Sequence, residues 1–216
     1  MTDPSADYTR FIESMATDYE RWHDGIGFDL EALDRLAPPE RELVERRLLG
    51  GPLDDWRYFE ALLRLGTPRA IEAIERAASH GTPAVRAAAA DYLEPDHPAR
   101  SAAVVAALEH AKLMDGLGTA LDQTEEYHPP EVIDALFRGA LRRESDAAVN
   151  MAAMLYYLHG KASEPFDWEQ RPFFLRFATE DRAEREAAFR DLCRDVGVPA
   201  ERYLTDPGNA GRPEAR

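Results

Sequence analysis

Residues 67 to 93 read TPRAIEAIERAASHGTPAVRAAAADYL, a stretch that describes two short helices set back to back. Thr67 followed by Pro68 is a helix start: a hydroxyl that accepts from a first-turn amide, then a proline whose missing N–H costs nothing at the first helical position. Ala70, Ile71, Ile74, Ala77 and Ala78 then form one apolar stripe, with Arg69, Glu72, Glu75 and Arg76 on the remaining surface. Gly81 ends the helix. Thr82 and Pro83 repeat the start signal, and Val85, Ala88, Ala89, Tyr92 and Leu93 give a second stripe.

The pair recurs. At an offset of 62 residues the first stripe returns as Val132, Ile133, Leu136, Gly139 and Ala140 behind Pro129 and Pro130. At an offset of 64 the second returns as Val149, Ala152, Ala153, Tyr156 and Tyr157. Val104, Val105, Leu108, Ala111, Leu117, Ala120 and Leu121 lie between them as a weaker middle copy, so the period is about 32 residues. A unit that short cannot bury its own apolar face, and neighbours must stack to share one core. The spacing therefore predicts an all-α chain, a right-handed α-solenoid of stacked helical hairpins with capping helices at both ends.

TPAVRAAAADYL and DAAVNMAAMLYYL resemble the short HEAT-like repeats of bilin-lyase-type and other bacterial proteins, over residues 54 to 160. The period is shorter than that of long HEAT units, about 40 to 47 residues, and the tetratricopeptide pattern is missing. The resemblance implies a fold and carries no activity with it.

Outside the repeats, Tyr8, Phe11, Ile12, Met15 and Tyr19 predict a helix reaching His23, after five frayed residues. Asp29 is placed to cap a short helix with Leu30, Leu33 and Leu36 inward, and a third runs from Pro38 to Gly50 and Gly51. Residues 1–53 thus form the N-terminal cap. In residues 54 to 66, Trp56, Phe59, Leu62 and Leu63 are the expected inward positions. Residues 161–204 make the C-terminal cap with an aromatic loop, and residues 205–216 a disordered tail.

The regular rhythm breaks at HGKASEPFDWEQRPFFLRF, residues 159 to 177. Two readings compete. Phe166, Trp168, Phe173 and Phe174 could close the open end of a repeat stack. Alternatively, exposed aromatics beside arginine make a binding hot spot.

Lys plus Arg number 26 against 41 Asp plus Glu, a net charge of −15. That balance disfavours nucleic acid and anionic membrane and favours a basic protein partner; the alternative is that the surplus acid merely keeps an alanine-rich solenoid soluble, and charge alone does not choose between them. One cysteine, Cys193, allows no internal disulfide, and no leader or membrane-spanning run is evident, so the expectation is a cytoplasmic protein. Cys193 shares helical spacing with Ala188, Phe189 and Leu192, which predicts a buried thiol.

Catalytic signatures are missing. The six histidines show no i, i+3 or i, i+4 pair, the adjacent carboxylates at Asp54/Asp55 and Glu125/Glu126 diverge on a helix, and no phosphate loop or nucleophile elbow occurs. No cofactor or metal is expected. The leading expectation is a non-catalytic protein-binding solenoid, in its concrete form an immunity- or antitoxin-like inhibitor of a basic protein. Its partner-binding residues would be Glu72, Glu75, Glu131 and Asp134 on the repeat helices, with Lys161, Asp167, Trp168, Arg171 and Phe173 at the edge. The alternatives are a structural adaptor, or an enzyme on a HEAT-like frame such as a bilin lyase or an alkylpurine DNA glycosylase. The last needs a positive phosphate-binding surface that this charge opposes.

Overall fold

The computed structural model describes residues 3–16, 24–53, 55–143 and 145–205. Among them the chain is helical throughout, with only isolated backbone bridges at Lys112 and no strand. It divides into two compact units, Met1–Ala103 and Val104–Arg216.

In the first unit, α1 (Ala6–Ser14) is capped by Ser5, whose Oγ accepts from the Tyr8 amide. Ser5 is itself held by Glu40, which accepts from both its amide and its hydroxyl at 2.8 Å, so the expected fraying does not extend to Ser5. α1 ends at Ser14 with Met15 as its C-cap, short of the expected extent, and Tyr19 and His23 lie outside the described residues. Asp29 caps α2 (Leu30–Arg35) by accepting from Ala32 N, and Arg35 ties that helix to Asp7 of α1 at 2.9 Å. α3 (Pro38–Leu49) turns Val44 and Leu48 inward. It also buries Glu45, whose carboxylate is satisfied by the Thr67 hydroxyl.

α4 (Trp56–Leu65) differs from its expected register. Phe59, Ala61, Leu62 and Leu65 are buried, whereas Trp56 and Leu63 are exposed at 38% and 44%. Positions 56 and 63 are seven residues apart and share a flank of the helix, about 20° off two full turns; the core lies on the other side. α5 (Pro68–His80) follows most of its reading: Thr67 accepts from Ala70 N, and Ala70, Ile74, Ala77 and Ala78 are buried, while Ile71 is half-buried and Ala73 takes an inward position instead. α6 (Pro83–Ala90), packed against α5, is shorter than its stripe implies. It ends before Tyr92, so Ala87, Ala89, Ala90 and Leu93 are buried while Val85 and Ala88 are half-buried.

α7 (Pro98–His110) begins in the first unit and ends in the second. The second unit continues with α8 (Leu117–Glu126), α9 (Pro130–Arg142) and α10 (Ser145–Leu158). After them come the short α11 (Arg171–Phe174), a 3-10 turn (Leu175–Phe177), α12 (Arg182–Val196) and α13 (Glu201–Leu204). α10 is the centre of this unit. Ala147 to Val149 and Met151 to Tyr156 are all buried, because α8, α9, α11, the 3-10 turn and α12 pack around it. A helix enclosed on this many sides must be apolar nearly all round, as AAVNMAAMLYYL is.

α9 approaches α10 most closely at Gly139, where an added Cβ would stand 1.9 Å from Met151 Sδ. Only glycine permits that approach. Arg143 at the end of α9 donates to Leu108 O at 2.6 Å and to Ala111 O, satisfying carbonyls that the end of α7 leaves open. Phe137, Phe189 and Tyr203 join α9, α12 and α13: Phe137 stacks on Tyr203 at 4.9 Å and meets Phe189 edge-on at 6.2 Å. Cys193 is buried on α12 as expected, and burial pushes its thiol up to about 12.

Candidate partner-binding site

The segment after α10 owes its shape to one carboxylate. Asp167 Oδ2 accepts from the amide and hydroxyl of Ser163 at 3.3 and 3.1 Å, and Oδ1 accepts from Glu169 N at 2.9 Å. Such an Asx-type bracket offers the backbone partners that helix or sheet would otherwise supply. The amides of Glu169 and Ser163 hold the Asp167 carboxyl below the usual carboxylate range. Asp167 is therefore the loop's internal clasp.

The aromatic residues divide by burial. Phe174 and Phe177 are fully buried, and Phe173 is half-buried with its ring 5.1 Å from Tyr156 of α10. Phe166 leans on Phe174 at 5.7 Å. Tyr156 donates its hydroxyl to Asp195 of α12 at 2.6 Å, so this cluster binds α10, α11 and α12 together. Trp168 does not join it. The indole is 67% exposed, with the Arg171 guanidinium 4.7 Å from the ring centroid.

Both readings of the segment thus find residues: Phe166, Phe173, Phe174 and Phe177 cover α10, and Trp168 with Arg171 faces solvent. Arg171 and Lys161 form no ion pair among the described residues, although carboxylates outnumber cations along the chain. Leu175, 47% exposed one turn after Arg171, adds apolar surface that the sequence reading passed over. The local signal was Pro172, which lies in the first turn of the short α11.

The four acidic residues have distinct surroundings. Glu72 pairs with Arg76 one turn on at 2.9 Å. Glu75 faces His97 Nε2 at 3.3 Å; His97 Nδ1 accepts from Ala99 N, which leaves Nε2 to carry the proton and donate to Glu75. Both belong to the first unit. In the second, Glu131 is exposed in the first turn of α9, where an acid suits the helix dipole. Asp134 is turned inward to the chain's own end, accepting from Arg202 at 2.7 Å and from the Tyr203 hydroxyl at 2.7 Å. Asp134 is thus a clamp for α13, and the i, i+3 relation to Glu131 could not reveal it because the partner lies 68 residues away.

Among the described residues no group of three or more His, Cys, Asp or Glu side chains is arranged to hold a metal ion, and no helix is long and apolar enough to cross a membrane. His128 and His159 each donate Nδ1–H to a carbonyl four residues earlier, Thr124 O at 2.8 Å and Leu155 O at 2.7 Å. No family model, curated protein or solved structure matches the chain. The HEAT-like resemblance rests on the residues quoted for it.

Proposed function

We propose that the chain is a non-catalytic protein-binding helical-repeat protein, its hairpins stacked as a right-handed α-solenoid with capping helices, and that it acts as an immunity- or antitoxin-like inhibitor of a basic partner. The observation that carries this reading is Trp168: a large aromatic, 67% exposed, on a loop clasped by Asp167 and overlaid by Arg171. Tryptophan and arginine dominate hot spots because they present large contact area and directional donors at little entropic cost once pre-positioned. A net charge of −15 supports a basic partner. Glu72 and Glu131, exposed on their helices, would contribute to steering rather than to holding.

Expressed together with the products of adjoining genes, the chain is expected to co-purify with a basic one. Its association rate should fall about tenfold or more between 50 and 500 mM salt, as screening removes the steering. Co-purification with none of those products, or saturable binding to duplex DNA at physiological salt, would overturn the proposal.

A further inference from the structure

Two of the exposed large apolar side chains of the first unit, Ile26 at 46% and Trp56 at 38%, stand in one cleft of about 860 Å³. Among the described residues its walls come from α1, the Gly25–Asp29 segment, the start of α2 and the first turns of α4. Gly27 allows the narrow approach between them: a Cβ there would lie 3.1 Å from Glu60 Oε2 and 3.4 Å from the Trp56 ring. Trp56 and Glu60 are one turn apart on α4, so indole and carboxylate stand side by side.

The charge of the wall selects the occupant. Among the described residues, Glu13, Asp29, Glu31 and Glu60 line the cleft with one cation, Arg10, which is spent on Asp29 at 2.5 Å. Glu31 pairs only distantly with Arg35, at 3.9 Å. Glu13 and Glu60 have no hydrogen bond or ion pair from their side chains among the described residues. An apolar wall under unpaired carboxylates matches a side chain with an aliphatic stem and a cationic head.

We infer that this cleft receives a Lys or Arg side chain of the protein partner, its stem against Ile26 and Trp56 and its charged head at Glu60 and Glu13. The inference rests on the reading of the chain as a binder of a basic protein and locates one contact of that binding. A free polyamine has the same head group but no chain to follow it.

The test uses full-length protein labelled with 5-fluorotryptophan, the Trp56 resonance being assigned with Trp56→Phe. N-acetyl-arginine methylamide is titrated in 150 mM NaCl, with N-acetyl-norleucine methylamide as the neutral counterpart and agmatine as the free polyamine. The expected result is a saturable shift of the Trp56 signal by the arginine compound, with little change at Trp168. Affinity should weaken about tenfold in Glu60→Gln, the loss of one charge-assisted contact. Glu13→Gln gives the same readout should Glu60→Gln alter the fold, which an unmoved Trp168 resonance and unchanged circular dichroism exclude. A Trp56 signal unmoved to about 50 mM, far above the ~1 mM scale of a single weak contact, would overturn the inference. So would an equal response to the norleucine compound, an unchanged affinity in both variants, or agmatine binding a hundredfold tighter than the blocked arginine. A silent Trp56 with salt-dependent partner association intact removes the cleft alone; the reverse pattern removes the partner reading and leaves a cation site.

Discussion

Cys193 shows how a single residue's chemistry follows from its packing. The thiol sits among Ala188, Phe189 and Leu192 on the inner face of α12, where burial penalises the thiolate and raises its pKa to about 12. At pH 8 the folded protein should therefore react with a disulfide reagent at least a hundredfold more slowly than the guanidinium-unfolded chain, whose cysteine has a pKa of about 8.5. Equal rates would place the thiol at the surface. The sign for stability follows. A folded pKa above the unfolded one means the unfolded chain loses its proton first, so stability is intact below pH of about 8.5 and declines from there toward 12. Burial raises Tyr92, Tyr156 and Tyr203 in the same direction, the last two helped by carboxylates at Asp195 and Asp134, which extends the alkaline loss. The burial of Cys193 was legible from helical spacing. The hydrogen bonds of Tyr156 and Tyr203 were not, because their partners lie 39 and 69 residues away.

At the scale of elements, what the sequence revealed depended on whether the signal was local. Caps are local: Asp29, Thr67, Thr82 and Pro130 stand at the helix starts their residue types imply. So are broad stripes, and Val132, Leu136, Gly139 and Ala140 are all buried as read. The misreadings came where a pattern was continued past its helix or given the wrong centre. Tyr92 was assigned to α6, which ends at Ala90, and Trp56 was turned inward although the core takes the opposite flank of α4. An i, i+4 pair of Trp56 and Glu60 on that flank was the available clue to the cleft. Gly139 makes the close packing of α9 and α10 testable. Gly139→Ala should gain helix propensity of about 1 kcal/mol yet lose more through the clash with Met151, for a net destabilisation of about 1 to 3 kcal/mol in a denaturant titration. A stabilised variant would mean the two helices do not approach so closely.

For the whole molecule, charge and exposed aromatics act at different steps of binding. The acidic excess sets the rate of encounter with a basic protein, and a desolvated aromatic sets how long the complex lasts. Composition made the first visible. The second required the structure, because the sequence of residues 159 to 177 admits both an end cap and a hot spot, and only burial separates Phe173 and Phe174 from Trp168. Binding by the loop turns on that separation. Its most direct test is Trp168→Ala, with thermal melting and partner dissociation measured on the same preparation. A ring 67% exposed contributes little to folding, so the melting temperature should move by no more than about 2 °C while dissociation accelerates tenfold or more. A large fall in melting temperature, of the kind that follows a loss of about 3 to 5 kcal/mol when a buried aromatic is truncated, together with unaltered dissociation, would contradict it and make the loop purely structural.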